Sequence, residues 1–323
     1  MNAIASVNLT FRDPPQGSNE QFDLFVPYIT NLPLRDQRET MERPFFSLAK
    51  RKRLKPINYK SPDGSVWVNV DPHPTWGMAT IWDADILIWA ASQIAEHMRA
   101  RKNEPPPRTI KFMPYQLLQA IRRDVGGDQY KRLREGLDRL KFTAIKTNIR
   151  GKGRDRQASF NWLDQWTDDV DEATGHSRGM SVTISDWLYE GIVKEGGVLA
   201  IHPDYFLLTG ALERWLYRIA RKHAGHQAYG CGITVAVLYD KSGSEDLPRR
   251  FKAALKDIVK NDCLPEYHLE WIDKTESGDA AIHMIERSLL DPAHKAFTFP
   301  VRKDKRRPVP EGEASPISRV SKA

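Results

Sequence analysis

Residues 246–260 read DLPRRFKAALKDIVK, and their spacing decides both the fold and the surface of interest. On a helical wheel, Leu247, Phe251, Ala254, Leu255 and Ile258 gather on one side and are expected to face a core. Arg249, Lys252, Lys256 and Lys260 fall on the other side around the small Ala253, with Asp257 at the margin near Arg250. A merely solvated helix interleaves Glu with Lys and avoids like-charge repulsion, so a face this cationic is expected to meet something anionic. Duplex DNA fits. Lysines and arginines grip phosphates, and Arg249 and Arg250 stand near the helix N-terminus, the end that reaches base edges. Arginine there can bond guanine O6 and N7, and Ala253 can touch a thymine methyl.

Reading outward, Tyr267–Ile272 and Ala280–Arg287 form a hairpin after this helix, and two helical patterns precede it. Ala211 to Ala224 is amphipathic and ended by Gly225, and Ile233 to Tyr239 is a short helix before the turn Ser242-Gly243-Ser244. Val182 and Ile184 mark a strand at the start of this half. The same order occurs upstream. Ser65 to Val70 alternates as a strand, and Asp83 caps a helix running to about Arg101. Pro114 opens a second helix through Val125, and a third runs from Asp128 to Phe142. Thr143–Arg150 and Gln157–Leu163 then pair as a hairpin. Helix, helix, helix, hairpin, twice, predicts a helix-rich α+β chain of two tandem winged helix-turn-helix domains, at 45–175 and 176–290.

The first copy's third helix is less uniform. Tyr130, Leu133, Leu137 and Leu140 form its core side, while Lys131, Arg132 and Arg139 share the outer side with Asp128, Glu135 and Asp138. That mixture fits solvation as well as DNA contact. Its hairpin turn is strongly basic: Arg150, Lys152, Arg154 and Arg156 face only Asp155, a turn suited to a minor groove or flanking phosphates. The second copy's turn, 273–279, nets −2 and is a poor phosphate ligand. One half is expected to bring its helix and the other its wing. A further cluster, Lys50-Arg51-Lys52-Arg53 with Lys55, reads either as an edge strand contacting the DNA backbone or as a solvated loop.

The chain has 323 residues, 40% of the apolar class and 28% charged, enough for about two domains with packed cores. Of its net charge of +7, most sits in 292–323, where eight basic side chains face three acids among five prolines. That stretch reads as a disordered basic tail, with or without a role of its own. Residues 1–44 read as a second flexible arm, in which Phe22, Leu24, Phe25, Val26, Tyr28 and Ile29 can dock on a partner or, the preferred reading, on the chain's own body. No apolar run approaches the roughly 20 residues that span a bilayer, and no export leader is visible, so a cytoplasmic protein away from membranes is expected. Two cysteines, Cys231 and Cys263, fit a reducing compartment.

Motifs for catalysis are missing. There is no Gly-x4-Gly-Lys-Ser/Thr loop, Gly-x-Ser-x-Gly elbow or His-Glu-x-x-His helix. No His-x-His pair stands where a nickase would need one. His223, His226, Cys231 and Cys263 match no common zinc spacing. The expectation is a protein that is not an enzyme and carries no cofactor or metal.

Phe45–Tyr59 (FFSLAKRKRLKPINY), Trp76–Ile94 (WGMATIWDADILIWAASQI), Tyr130–Phe142 (YKRLREGLDRLKF), Glu213–Gly225 (ERWLYRIARKHAG) and Gly243–Leu255 (GSEDLPRRFKAAL) together resemble the plasmid replication initiator protein A family of bacteria. The likeness runs through most of 45–290 and leaves the arms outside. It implies a two-winged-helix protein that binds repeated double-stranded sites (iterons) at a plasmid origin and opens the strands there. It further implies recruitment of the host replicative helicase and the chromosomal initiator. Members often exist as dimers that become monomers on the origin, and the sequence leaves that choice open. Family knowledge places DNA reading chiefly in the second domain. A winged-helix transcriptional repressor acting at a plasmid promoter, including its own, is the alternative.

Overall fold

The computed structural model describes residues 32–150, 157–175, 177–225 and 227–290. Its elements, in chain order, are β1 (Arg35–Gln37), β2 (Ile57–Lys60), β3 (Trp67–Asp71), α1 (Ala84–Ala100), β4 (Thr109–Phe112), α2 (Pro114–Ala120) and α3 (Gly127–Phe142). There follow β5 (Ala144–Thr147), β6 (Ala158–Phe160), β7 (Leu163–Val170), β8 (Ser177–Ile184), α4 (Asp186–Val193) and β9 (Val198–Ala200). The second half continues with α5 (Ala211–His223), β10 (Cys231–Thr234), α6 (Val235–Ser242), α7 (Pro248–Asn261), β11 (Tyr267–Ile272) and β12 (Ala281–Glu286). The chain is thus a mixed α/β protein.

The expected order of helices and hairpins is present in both halves. β5 and β6 pair antiparallel after α3, and β11 and β12 pair antiparallel after α7, joined by β10 into the order β10-β12-β11. β2 and β3 extend the first hairpin into a four-stranded sheet, β2-β3-β5-β6. Leu133, Leu137 and Leu140 point inward from α3, as their spacing requires. Below them, Trp162 is fully buried, stacked on Phe46 at 4.7 Å and edge-on to Phe45 and Phe160.

Several boundaries differ from expectation. α2 stops at Ala120 rather than Val125, because Arg122 takes a left-handed φ of 57° and Val125 is left exposed. Asp83 stands before α1 but does not cap it. Its carboxylate turns back to Thr80, accepting the backbone N–H at 2.8 Å and the hydroxyl at 2.9 Å. Residues 231–234, expected as helix in part, are the strand β10, and Thr234 caps the helix that follows. The strand placed at the start of the second half is β8, and it pairs with β4 and with β7, a strand not anticipated. This three-stranded sheet carries the first half past the expected division at 175/176. Residues 32–44 are body rather than arm: β1 pairs with β9, and Leu32, Leu34 and Met41 are buried. Phe22 to Ile29 and the basic tail 291–323 lie outside the described residues.

The halves are joined by buried charge. Arg218 on α5 clasps Asp36 on β1, with Nε 2.6 Å from Oδ2, and also bonds the Thr40 hydroxyl at 2.9 Å. Arg214, one turn earlier, reaches Asp85 on α1 at 2.5 Å while its other nitrogens bond the carbonyls of Leu208 and Phe206. Glu42 meets His223 at 3.1 Å and Lys241 at 3.5 Å. Burial alone would raise the Glu42 carboxyl. His223, Arg43, Lys241 and Lys222 outweigh it and hold the group at about 2. A carboxyl held low when folded stabilises the fold above its unfolded value, and that stability disappears as pH falls through the folded one. Acid unfolding of Glu42→Gln should therefore differ from that of the parent chiefly above pH 4.5, with the gap closing toward pH 2. Thermal melts at pH 7, 4.5 and 2.5 test this, and a gap that stays constant with pH would refute it.

Candidate nucleic-acid interface

α7 begins where Leu247 leaves the extended region and Pro248 supplies a preset φ at the first helical position. Leu247 was placed on the core side by its spacing but is 62% exposed, because it precedes the helix and its backbone is out of helical register. Phe251, Leu255 and Ile258 do face inward. Phe251 meets Trp215 of α5 and, edge-on at 5.2 Å, Tyr239 of α6. The Tyr239 hydroxyl donates to the carbonyl of Asp246 at 2.8 Å and so fixes the turn into α7. The helix ends at Asp262, whose φ of 45° breaks the repeat.

This packing leaves Arg249, Arg250, Lys252, Ala253, Lys256 and Lys260 exposed together, with Asp257 beside them. Among the described residues Arg249, Arg250, Lys252 and Lys260 have no acidic partner. Lys256 does: its Nζ lies 3.7 Å from Asp273 of the hairpin turn and 4.9 Å from the centre of the Trp271 ring. Lys252 stands 6.0 Å from the same ring, whose Nε1 donates to Asp273 at 3.0 Å. The acidic turn thus touches the cationic stripe. The turn's acidity is plain in the sequence, whereas the place of Trp271 beneath the lysines is less so. Alternation along Tyr267, Leu269 and Trp271 carries the signal, since it places the indole on the helix-facing side of β11.

The first half differs. Lys131 and Arg132 are exposed on α3, as expected. Arg139 is not available to a ligand: its guanidinium grips the buried carboxylate of Asp83 with two bonds of 2.8 Å. Arg150 is likewise withdrawn. It lies 3.9 Å over the Trp187 ring, pairs with Glu39 at 2.7 Å and donates to the Trp187 carbonyl at 2.5 Å. Both leave the set of DNA-contact candidates, because each charge is already held within the fold, Arg139 by the buried Asp83 and Arg150 by the half-buried Glu39 and the Trp187 ring. Lys152, Arg154 and Arg156 lie outside the described residues. The 50–55 segment is no edge strand; it runs as irregular chain, and Arg53 turns inward while Lys50, Arg51, Lys52 and Lys55 stay exposed.

Of the groups weighed for metal binding, His223 pairs with Glu42, and His226 lies outside the described residues. Burial and the neighbouring Glu213 carboxylate push the Cys263 thiol up to about 12. Among the described residues no helix is long and apolar enough to cross a membrane.

The family model described as replication initiator protein A matches residues 35–269. That match begins at β1, ten residues earlier than the expected span, in keeping with β1 as part of the body. A protein of Wigglesworthia glossinidia brevipalpis named "Putative replication protein" is 33% identical over 240 residues, covering 73% of this chain and 84% of the relative. Two crystal structures of domains 2 and 3 of RctB are similar in fold. One has a TM-score of 0.56 at 14% identity, the other 0.51 at 13%, each covering 75% of this chain and 95% of its own.

Proposed function

The chain belongs to the replication initiator protein A family, and from that premise we propose that it binds repeated duplex sites at a plasmid origin through two winged-helix halves, of which the second reads sequence. The observation that carries this is the exposed stripe of α7, oriented outward by Phe251, Leu255 and Ile258. In each half the hairpin after the third helix takes the place of the wing. In the second, β11 lies against α7 so that a duplex seated on the helix would also meet the turn 273–279. Local strand opening and recruitment of the host helicase and chromosomal initiator are the steps that membership suggests for the bound state. The chain acts in the bacterial cytoplasm and not as an enzyme. On this reading the purified protein with Mg2+ leaves supercoiled DNA uncut.

Footprinting on the DNA beside the chain's own gene tests the reading. Regularly spaced protected repeats are the expected result, whereas protection confined to one promoter operator would favour a repressor. Arg249→Ala and Arg250→Ala should each weaken binding to the protected repeat by roughly 1–3 kcal/mol, the worth of a bidentate guanine contact. Binding to a scrambled duplex should fall far less. Equal losses on both duplexes would mean that neither arginine reads a base.

A further inference from the structure

The segment 50–55 belongs to the first half, yet it is fastened to the approach to α7. Arg53 is only 6% exposed, and its guanidinium donates to the carbonyl of Gly243 at 2.6 Å and to that of Lys55 at 2.9 Å. On its other side the segment rests on Gly77–Met78. The Met78 N–H bonds the Arg53 carbonyl at 3.1 Å, and the Lys52 stem crosses Gly77, where a Cβ would come within 2.8 Å of Lys52 Cγ. Gly243 is itself pressed against the first half. It holds a φ of 58°, and a side chain there would meet Pro44 at 2.7 Å. Five residues beyond Gly243 the helix α7 begins, with Arg249 and Arg250 at its start.

This clamp leaves Lys50, Arg51, Lys52 and Lys55 exposed on a segment that touches Gly243 and Glu245 in the turn leading into α7. Arg51 has one acid nearby, Glu245 at 4.0 Å, and among the described residues the three lysines have none. Four cations on a segment fastened by a buried arginine to the turn before α7 suit an arrangement in which phosphate contacts set register while side chains on the helix read bases.

We propose that the 50–55 loop is a second phosphate-binding element, gripping the backbone of the same duplex that α7 enters, on the flank next to Arg249. The proposal rests on the reading of α7 given above. It adds a first-half contact made by the body of the chain and independent of the 150–156 turn. Lysines on an irregular loop carry no geometry for base edges, so the grip is indifferent to sequence.

The test is a variant carrying Lys50→Ala, Lys52→Ala and Lys55→Ala, all at exposed positions, measured beside Lys256→Ala. Affinity for the repeat and for a scrambled duplex is followed against salt. At about 0.9 of slope per phosphate contact, the triple variant should flatten the salt dependence by roughly 2–3 units on both duplexes. The footprint should shorten on one flank only. An unchanged slope in the triple variant, with Lys256→Ala lowering it by about one, overturns the loop proposal and leaves α7 standing. A loss confined to the repeat also overturns it. Failure of the parent protein to bind duplex DNA, or a Lys256→Ala variant without effect, removes the reading of α7 instead.

Discussion

Arg218→Met should destabilise the folded chain by about 3–5 kcal/mol, the range for removing one partner of a buried ion pair. The arginine is fully buried between α5 and β1, and its replacement strands the Asp36 carboxylate in an apolar setting beside Phe46 and removes a donor from the Thr40 hydroxyl, which keeps only its bond to the Gln37 carbonyl. The pH dependence identifies the cause. Burial already raises the Asp36 carboxyl above its ordinary value, against the pull of Arg218. Without Arg218 only a backbone hydrogen bond at Gln37 still opposes that rise. A carboxyl raised in the folded state favours folding where it is protonated and opposes it as pH climbs through the raised value. The deficit of Arg218→Met should accordingly be smaller at pH 5 than at pH 8. Adding Asp36→Asn should return much of the stability, since replacing both partners is far less harmful than removing one. Urea titrations of the parent, the two single variants and the double variant decide it. A single variant within 1 kcal/mol of the parent, or a deficit indifferent to pH, would sink the assignment of this pair as the joint between the halves.

The same contrast explains what the sequence let us read. Short-range periodicity was sufficient for α7, whose inner residues recur at three and four positions and whose outer ones are all cationic or small. It was sufficient for α3 and for both hairpins after the third helices, where apolar residues alternate. It failed where a charge is met by a residue far along the chain. Arg139 occupies the outer margin of α3 by spacing, and only folding brings Asp83, 56 positions away, against it. Arg150 sits in a basic turn by composition, and Glu39 and Trp187 withdraw it. β7 escaped notice because its residues, LDQWTDDV, lack apolar alternation and are held chiefly by backbone pairing with β8. Arg53 reads as one more member of a basic run, although it is the one whose charge points into the protein. No local signal separates it from Lys52.

The second large effect belongs to the surface that Arg218 does not touch. Lys252→Ala, Lys256→Ala and Lys260→Ala combined remove three exposed cations and leave Phe251, Leu255 and Ile258 in place. Alanine is the best helix former, so α7 should persist and the melting temperature should stay close to that of the parent. DNA binding should not. Three lost phosphate contacts lower the salt slope by roughly 2.7, which near 0.1 M salt is a loss on the order of 10²–10³ in affinity, on repeat and scrambled duplexes alike. Asp273 sharpens the expectation, because it already engages Lys256 in the free protein. Part of the gain from that lysine is therefore an exchange of carboxylate for phosphate, and Asp273→Asn in the parent should raise affinity for scrambled DNA several-fold, whereas in the triple variant, where Lys256 is gone, it should act much more weakly. Fluorescence anisotropy across a salt series measures all of these. If the triple variant kept the parent's slope, the stripe would be an ordinary solvated face and the family's DNA contacts would have to be sought on α3, where Lys131 and Arg132 remain exposed.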